Sequence, residues 1–112
     1  TLDLLIDSFE SARLAMHFHD TYGMALANTY QALRMGIATF DSSAGGLGGC
    51  PYAPGALGNV ATEDLLYLFD RLGIETGIQL SGVRRASNFI AETLGRTLPS
   101  RVLKTSVGAE PN

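Results

Sequence analysis

The spacing of apolar residues changes from helical to alternating at Leu14 and back to helical after Gly23, and this double switch limits the folds open to the chain. Leu2, Leu5, Ile6 and Phe9 recur at helical intervals. Over 14–19 the period becomes two: Leu14, Met16 and Phe18 fall on one side of a strand, and Ala15, His17 and His19 on the other. Residues 24–35 then place Leu26, Tyr30 and Leu33 on one helical stripe that stops at Gly36. Residues 37–42, apolar and partly β-branched, form a second strand. Two strands separated by one helix make a βαβ unit, in which the strands run parallel.

The rest of the chain continues the alternation. A glycine-rich stretch over 44–58 has no helical period and is too long for a tight turn, so it reads as an ordered functional loop. Thr62 is placed to cap a helix with Glu63 and Asp64 in its first turn, Leu65, Phe69 and Leu72 on its buried stripe, and Gly73 as its stop. Ser81 is placed to cap a last helix that turns Val83, Ala86, Phe89, Ile90 and Leu94 inward and ends at Gly95. Beyond Pro99 the pattern fades, and residues 104–112 read as a flexible tail. The expected class is α/β with parallel strands alternating with helices. Alternation alone does not separate a barrel from an open doubly wound sheet. No internal repeat or second domain is visible.

Composition narrows the function. The net charge is −3 and the basic residues are scattered, which gives no stripe for nucleic acid or an anionic membrane. No apolar run approaches the roughly 20 residues of a membrane-spanning helix, and residues 1–10 have neither the basic leader of a signal nor that of a transit peptide. They read instead like the middle of a helix, a first indication of a fragment. A single cysteine, Cys50, excludes an intrachain disulfide and fits a reducing compartment.

The residues that can carry chemistry are few. His17-Phe18-His19 aims two imidazoles into one space, because residues two apart on a strand share a face, and two imidazoles so placed can share a cation. Taken in isolation, a pair of this kind is more often two polar residues hydrogen-bonded at a strand end. Asp20 beside it, and its place at the end of a parallel strand where α/β folds assemble their sites, favour the metal. Cys50 sits in Gly45-Gly46-Leu47-Gly48-Gly49-Cys50-Pro51-Tyr52, a stretch with little apolar core to bury a thiol. Neither a dinucleotide fingerprint nor a phosphate loop is present. Asn59 offers a hard oxygen ligand or a turn residue. Asp41, Ser42 and Ser43 either line a site or satisfy the adjoining backbone.

Taken together, His17-Phe18-His19-Asp20-Thr21-Tyr22-Gly23, Ala25-Leu26-Ala27-Asn28-Thr29, Asp41-Ser42-Ser43, Gly46-Leu47-Gly48-Gly49-Cys50-Pro51-Tyr52-Ala53, and Gly58-Asn59 with Ala61-Thr62-Glu63-Asp64-Leu65 closely resemble the hydroxymethylglutaryl-CoA lyases. The likeness runs over about 14–94, and the glycine loop ending in Cys-Pro-Tyr is its most specific part. Related metal-dependent 4-hydroxy-2-oxoacid aldolases and acyl-CoA synthases share the His-x-His strand and are the rival enzymes. An inactive, lyase-derived binding module is the rival from another class.

The resemblance implies a (β/α)₈ TIM barrel of which residues 1–103 are the C-terminal part, since such a barrel needs roughly 250 residues. It implies that His17, His19 and Asn59 ligate Mg²⁺ or Mn²⁺, a mixed imidazole and oxygen set that suits these ions better than structural zinc. An aspartate from an upstream strand, with no counterpart here, would complete the ligands. It further implies that His17 and Cys50 act catalytically, Cys50 on a loop that closes over the site. The expected reaction splits 3-hydroxy-3-methylglutaryl-CoA into acetyl-CoA and acetoacetate, chemistry of leucine degradation and ketone-body formation. The expected partners are the acyl-CoA substrate, the remainder of the barrel and a second copy in a homodimer. The expected location is the cytoplasm, or the mitochondrial matrix in a eukaryote.

Overall fold

The sheet is small and parallel, as the alternation requires: β1 (Met16–His17) pairs with β2 (Phe40–Asp41), Met16 opposite Phe40 and His17 opposite Asp41. The structure, a computed structural model, describes residues 1–48 and 58–105. Ahead of the sheet lies α1 (Leu2–Ser8), and α2 (Ala25–Arg34) forms the crossover between the two strands. After the second strand come α3 (Thr62–Arg71), α4 (Leu80–Leu94) and α5 (Arg101–Thr105). Regular pairing is shorter than the alternating segments, but isolated bridges extend it, His19 antiparallel to Asn59 and Ser43 parallel to Ala61.

Phe18 behaves as its parity demands. It packs with Leu26, Leu33, Phe40 and Leu68 against a buried cluster of Ala25, Val60, Leu65 and Phe69, while His17 and His19 on either side are exposed. The rings of Phe40 and Phe69 lie 5.8 Å apart and tilted by 49°, an arrangement that aromatic quadrupoles favour. A buried ring of this size contributes about 1.5–3 kcal/mol of transfer free energy. The core of the sheet is thereby joined to α2 and α3.

Two helix starts differ from the sequence expectation. The N-cap of α3 is Ala61, and Thr62 is already helical, its hydroxyl paired with that of Ser42 at 2.7 Å. The N-cap of α4 is Gln79, which leaves Ser81 within the first turn. The apolar stripe expected to face inward from α4 does so only in part: Val83 and Ile90 are half-buried, while Ala86, Phe89 and Leu94 are exposed. Phe89 is 69% and Leu94 52% exposed, and the residues α4 buries are Arg84 and Ser87. The helical period groups residues on one face but cannot say which face finds a partner.

Residues 101–105, where the hydrophobic pattern fades, form α5. Lys104 and Thr105, placed by the sequence in a loose tail, are its last residues; 106–112 lie outside the described residues. So short a helix needs caps. The Ser100 hydroxyl accepts from the Leu103 amide at 3.0 Å, and Asp64 accepts from the Val102 amide at 3.1 Å and the Ser100 hydroxyl at 2.6 Å. Among the described residues no helix is long and apolar enough to cross a membrane.

Candidate metal and catalytic site

The site is built on the exposed face of β1 and on residues 58–60. The Asp20 amide donates to the Gly58 carbonyl at 3.1 Å, and the Val60 amide to the Phe18 carbonyl at 3.0 Å. These bonds flank His19 and Asn59 without joining them. Such a non-hydrogen-bonded antiparallel pair sets its side chains close together on one face. His17 shares that face because it lies two residues from His19, and the two imidazole centroids are 5.3 Å apart. Two ring nitrogen donors and an amide therefore converge, although His19 and Asn59 are far apart in the chain.

On its other side, the strip at Gly58 is held to the end of the second strand. Ser43 donates its amide to the Val60 carbonyl at 3.0 Å and accepts from the Thr62 amide at 2.9 Å. Of the residues left open by the sequence, Ser43 thus satisfies backbone, Ser42 pairs with Thr62, and Asp41 lies beside the site with Oδ2 3.7 Å from His17 Nδ1. Asp20 turns to structural use: its Oδ1 accepts from the Ala25 amide at 3.1 Å and so holds the start of α2.

Below this face lies a buried polar layer that sequence reasoning read only as helix-dipole carboxylates. Glu63, fully buried, accepts from the Gly45 amide at 2.8 Å through Oε1, and its Oε2 has no partner among the described residues. Asp64 joins α3 to the start of α5 as described above. The Gly45 carbonyl also accepts from the Ser100 amide at 2.9 Å, which draws the glycine segment, α3 and residues 98–103 together. The signal in the sequence was weak: a serine, Ser100, directly after a proline and ahead of Val102 and Leu103.

Among the described residues no three His, Cys, Asp or Glu side chains cluster. Cys50 lies outside the described residues. Among the described residues, clefts of about 630 Å³ and 410 Å³ run beside α3 along residues 73–80 and one of about 490 Å³ lies between α4 and residues 95–104, and none of the three includes His17, His19 or Asn59. Donor chemistry therefore identifies the site better than cavity size does.

The fold that carries this imidazole pair has counterparts among known proteins. The chain matches the HMGL-like family over residues 2–90 and belongs to that family. The hydroxymethylglutaryl-CoA lyase of Bacillus subtilis is 52% identical over 92% of this chain and 34% of its own length, and the crystal structure of the HMG-CoA lyase from that organism superposes with a TM-score of 0.89 at 51% identity, covering 92% of this chain and 35% of that one. The human mitochondrial hydroxymethylglutaryl-CoA lyase is 51% identical over 94% of this chain and 32% of its own length. An HMG-CoA lyase from Acinetobacter baumannii, solved in complex with coenzyme A and 3-methylmalate, gives a TM-score of 0.85 at 37% identity over 98% of this chain and 37% of that one. The chain spans about a third of the length of the curated relatives it matches.

Proposed function

We propose that this chain is the C-terminal part of a divalent-cation-dependent hydroxymethylglutaryl-CoA lyase built as a TIM barrel, which cleaves 3-hydroxy-3-methylglutaryl-CoA to acetyl-CoA and acetoacetate. The convergence of His17, His19 and Asn59 on one exposed face carries the reading, and family membership supplies the reaction class. The donors fit a hard or borderline cation that takes mixed nitrogen and oxygen ligands, Mg²⁺ or Mn²⁺, with further oxygens coming from elsewhere in a longer chain. The exposed apolar side chains of Leu4, Ile78, Phe89 and Leu94 support a longer chain that covers them.

When bound, the cation supplies Lewis-acid polarisation of the substrate's hydroxyl and carboxylate oxygens. The residues of this chain have separate tasks. Asp41 Oδ2 lies 3.7 Å from His17 Nδ1, a carboxylate beside the imidazole. The family resemblance assigns His17 both to the cation and to proton transfer near it; the nitrogen that accepts the hydroxyl proton must be one whose lone pair the cation does not hold, and loss of that proton lets the carbon–carbon bond break toward the thioester enolate. Cys50 is assigned to proton handling on the acetyl-CoA side by the family resemblance of its loop.

In the full-length enzyme, His19→Ala should lower Mn²⁺ affinity and turnover together, by about tenfold or more. Cys50→Ser should keep the metal and the fold yet lose most of kcat, because the hydroxyl has a much higher pKa than the thiol. The 112-residue chain alone should not turn over the substrate. Unchanged Mn²⁺ titration in His19→Ala, or metal-dependent turnover by the isolated chain, would defeat this reading.

A further inference from the structure

We infer that Gly48 and the Leu47 carbonyl form a positioning device for Asn59, one that selects which end of its amide is offered to a cation. The inference rests on the reading of His17, His19 and Asn59 as cation ligands and adds a residue set that this reading does not name. A side-chain amide binds a cation through its oxygen only, and its NH₂ is useless for that purpose. An asparagine ligand therefore needs something to hold its NH₂ away from the metal. Here Asn59 Nδ2 donates to the Leu47 carbonyl at 3.1 Å, which fixes the amide orientation and leaves Oδ1 on the opposite edge, free for ligation.

Gly48 makes this approach possible. It adopts φ +94, where L side chains rarely sit, and a Cβ built on it would lie 2.7 Å from Asn59 Nδ2. Any side chain at 48 would push the amide off the Leu47 carbonyl. The backbone is crowded on the other flank too, where a Cβ on Gly58 would run into the Gly48 carbonyl oxygen. Residues 47–48 and 58–59 are thus in direct contact, and the strip that carries Asn59 is clamped to His19 by the Asp20–Gly58 and Val60–Phe18 backbone bonds. Backbone position and amide rotamer are set by different groups, the first by these ladder bonds and the second by Leu47 and Gly48. Gly48 touches neither substrate nor cation in this scheme and acts entirely through Asn59.

The test is a double-mutant cycle on Mn²⁺ binding to the full-length lyase without substrate, read by electron paramagnetic resonance of free Mn²⁺. Gly48→Ala should weaken Mn²⁺ binding by about tenfold, within the range that outer-sphere partners of metal ligands command. In an Asn59→Ala background the same change should alter the affinity by less than about twofold, because the amide it displaces is gone. Backbone strain at φ +94 is present in both backgrounds and cancels in the cycle. An unchanged affinity in Gly48→Ala, or an equal loss in both backgrounds, would overturn the inference while leaving the ligand assignment intact. Unchanged Mn²⁺ binding in both His19→Ala and Asn59→Ala would instead remove the ligand assignment itself, and the positioning role with it. Should Gly48→Ala fail to accumulate as folded protein, its soluble yield is compared with that of the Gly48→Ala/Asn59→Ala protein. Recovery in the double variant supports the collision with the amide, and no recovery counts against it.

Discussion

The helices α3 and α4 carry comparable amphipathic patterns and settle in opposite ways. α3 buries Leu65, Leu66 and Phe69 against the sheet and the end of the crossover helix, whereas α4, longer by half, buries Arg84 and Ser87 and leaves Phe89 and Leu94 in solvent. The cause is local company. α3 is tied at its first turn to the glycine segment by Glu63 and to the start of α5 by Asp64, so its orientation is fixed by polar bonds before its apolar stripe is considered. α4 directs Arg84 toward the same C-terminal segment, where its guanidinium donates to the Val102 carbonyl at 3.2 Å. With Arg84 turned inward, Phe89 and Leu94 are left on the outer side while Val83 and Ile90 are half-buried. Under the proposed function, this outer side is the surface on which the rest of a longer chain would lie.

The largest expected effect comes from the anchored helix. Phe69→Ala should cost about 3–5 kcal/mol in urea unfolding, the range for truncating a buried phenylalanine whose surroundings relax only in part. A loss of under about 1 kcal/mol would mean that α3 is no better packed than α4. Asp64→Ala should cost about 2 kcal/mol, because it removes a charge-assisted acceptor from the Ser100 hydroxyl and from the start of α5. Hydrogen exchange sharpens this, since the amides of Val102 and Leu103 should lose protection while those of α4 keep theirs. The smallest effect belongs to the exposed face: Phe89→Ala in the 112-residue chain should change stability by less than about 0.5 kcal/mol. A loss above about 2 kcal/mol that grew with protein concentration would show that the α4 face is covered by a second copy and would break the contrast.

The sequence determined those features that depend on neighbours within one turn or one strand. The parity of 14–19 put Phe18 into the core and both imidazoles outside, the crossover helix made the strand pair parallel, and the residue types at His17, His19 and Cys50 are the ones on which the proposed function rests. The family was legible for the same reason, because its motifs are short and contiguous. Tertiary structure alone decided what depends on residues far apart in the chain. Asn59 comes to face His19 only through backbone bonds between segments about 40 residues apart, and its amide is oriented by the Leu47 carbonyl, an acceptor that every residue possesses and no sequence pattern marks. The inward turn of Arg84 and the capping of α5 by Asp64 and Ser100 follow the same logic. Hydrophobic period is a property of one segment, readable residue by residue, whereas burial and hydrogen-bond partnership belong to pairs of segments and exist only once those segments have met.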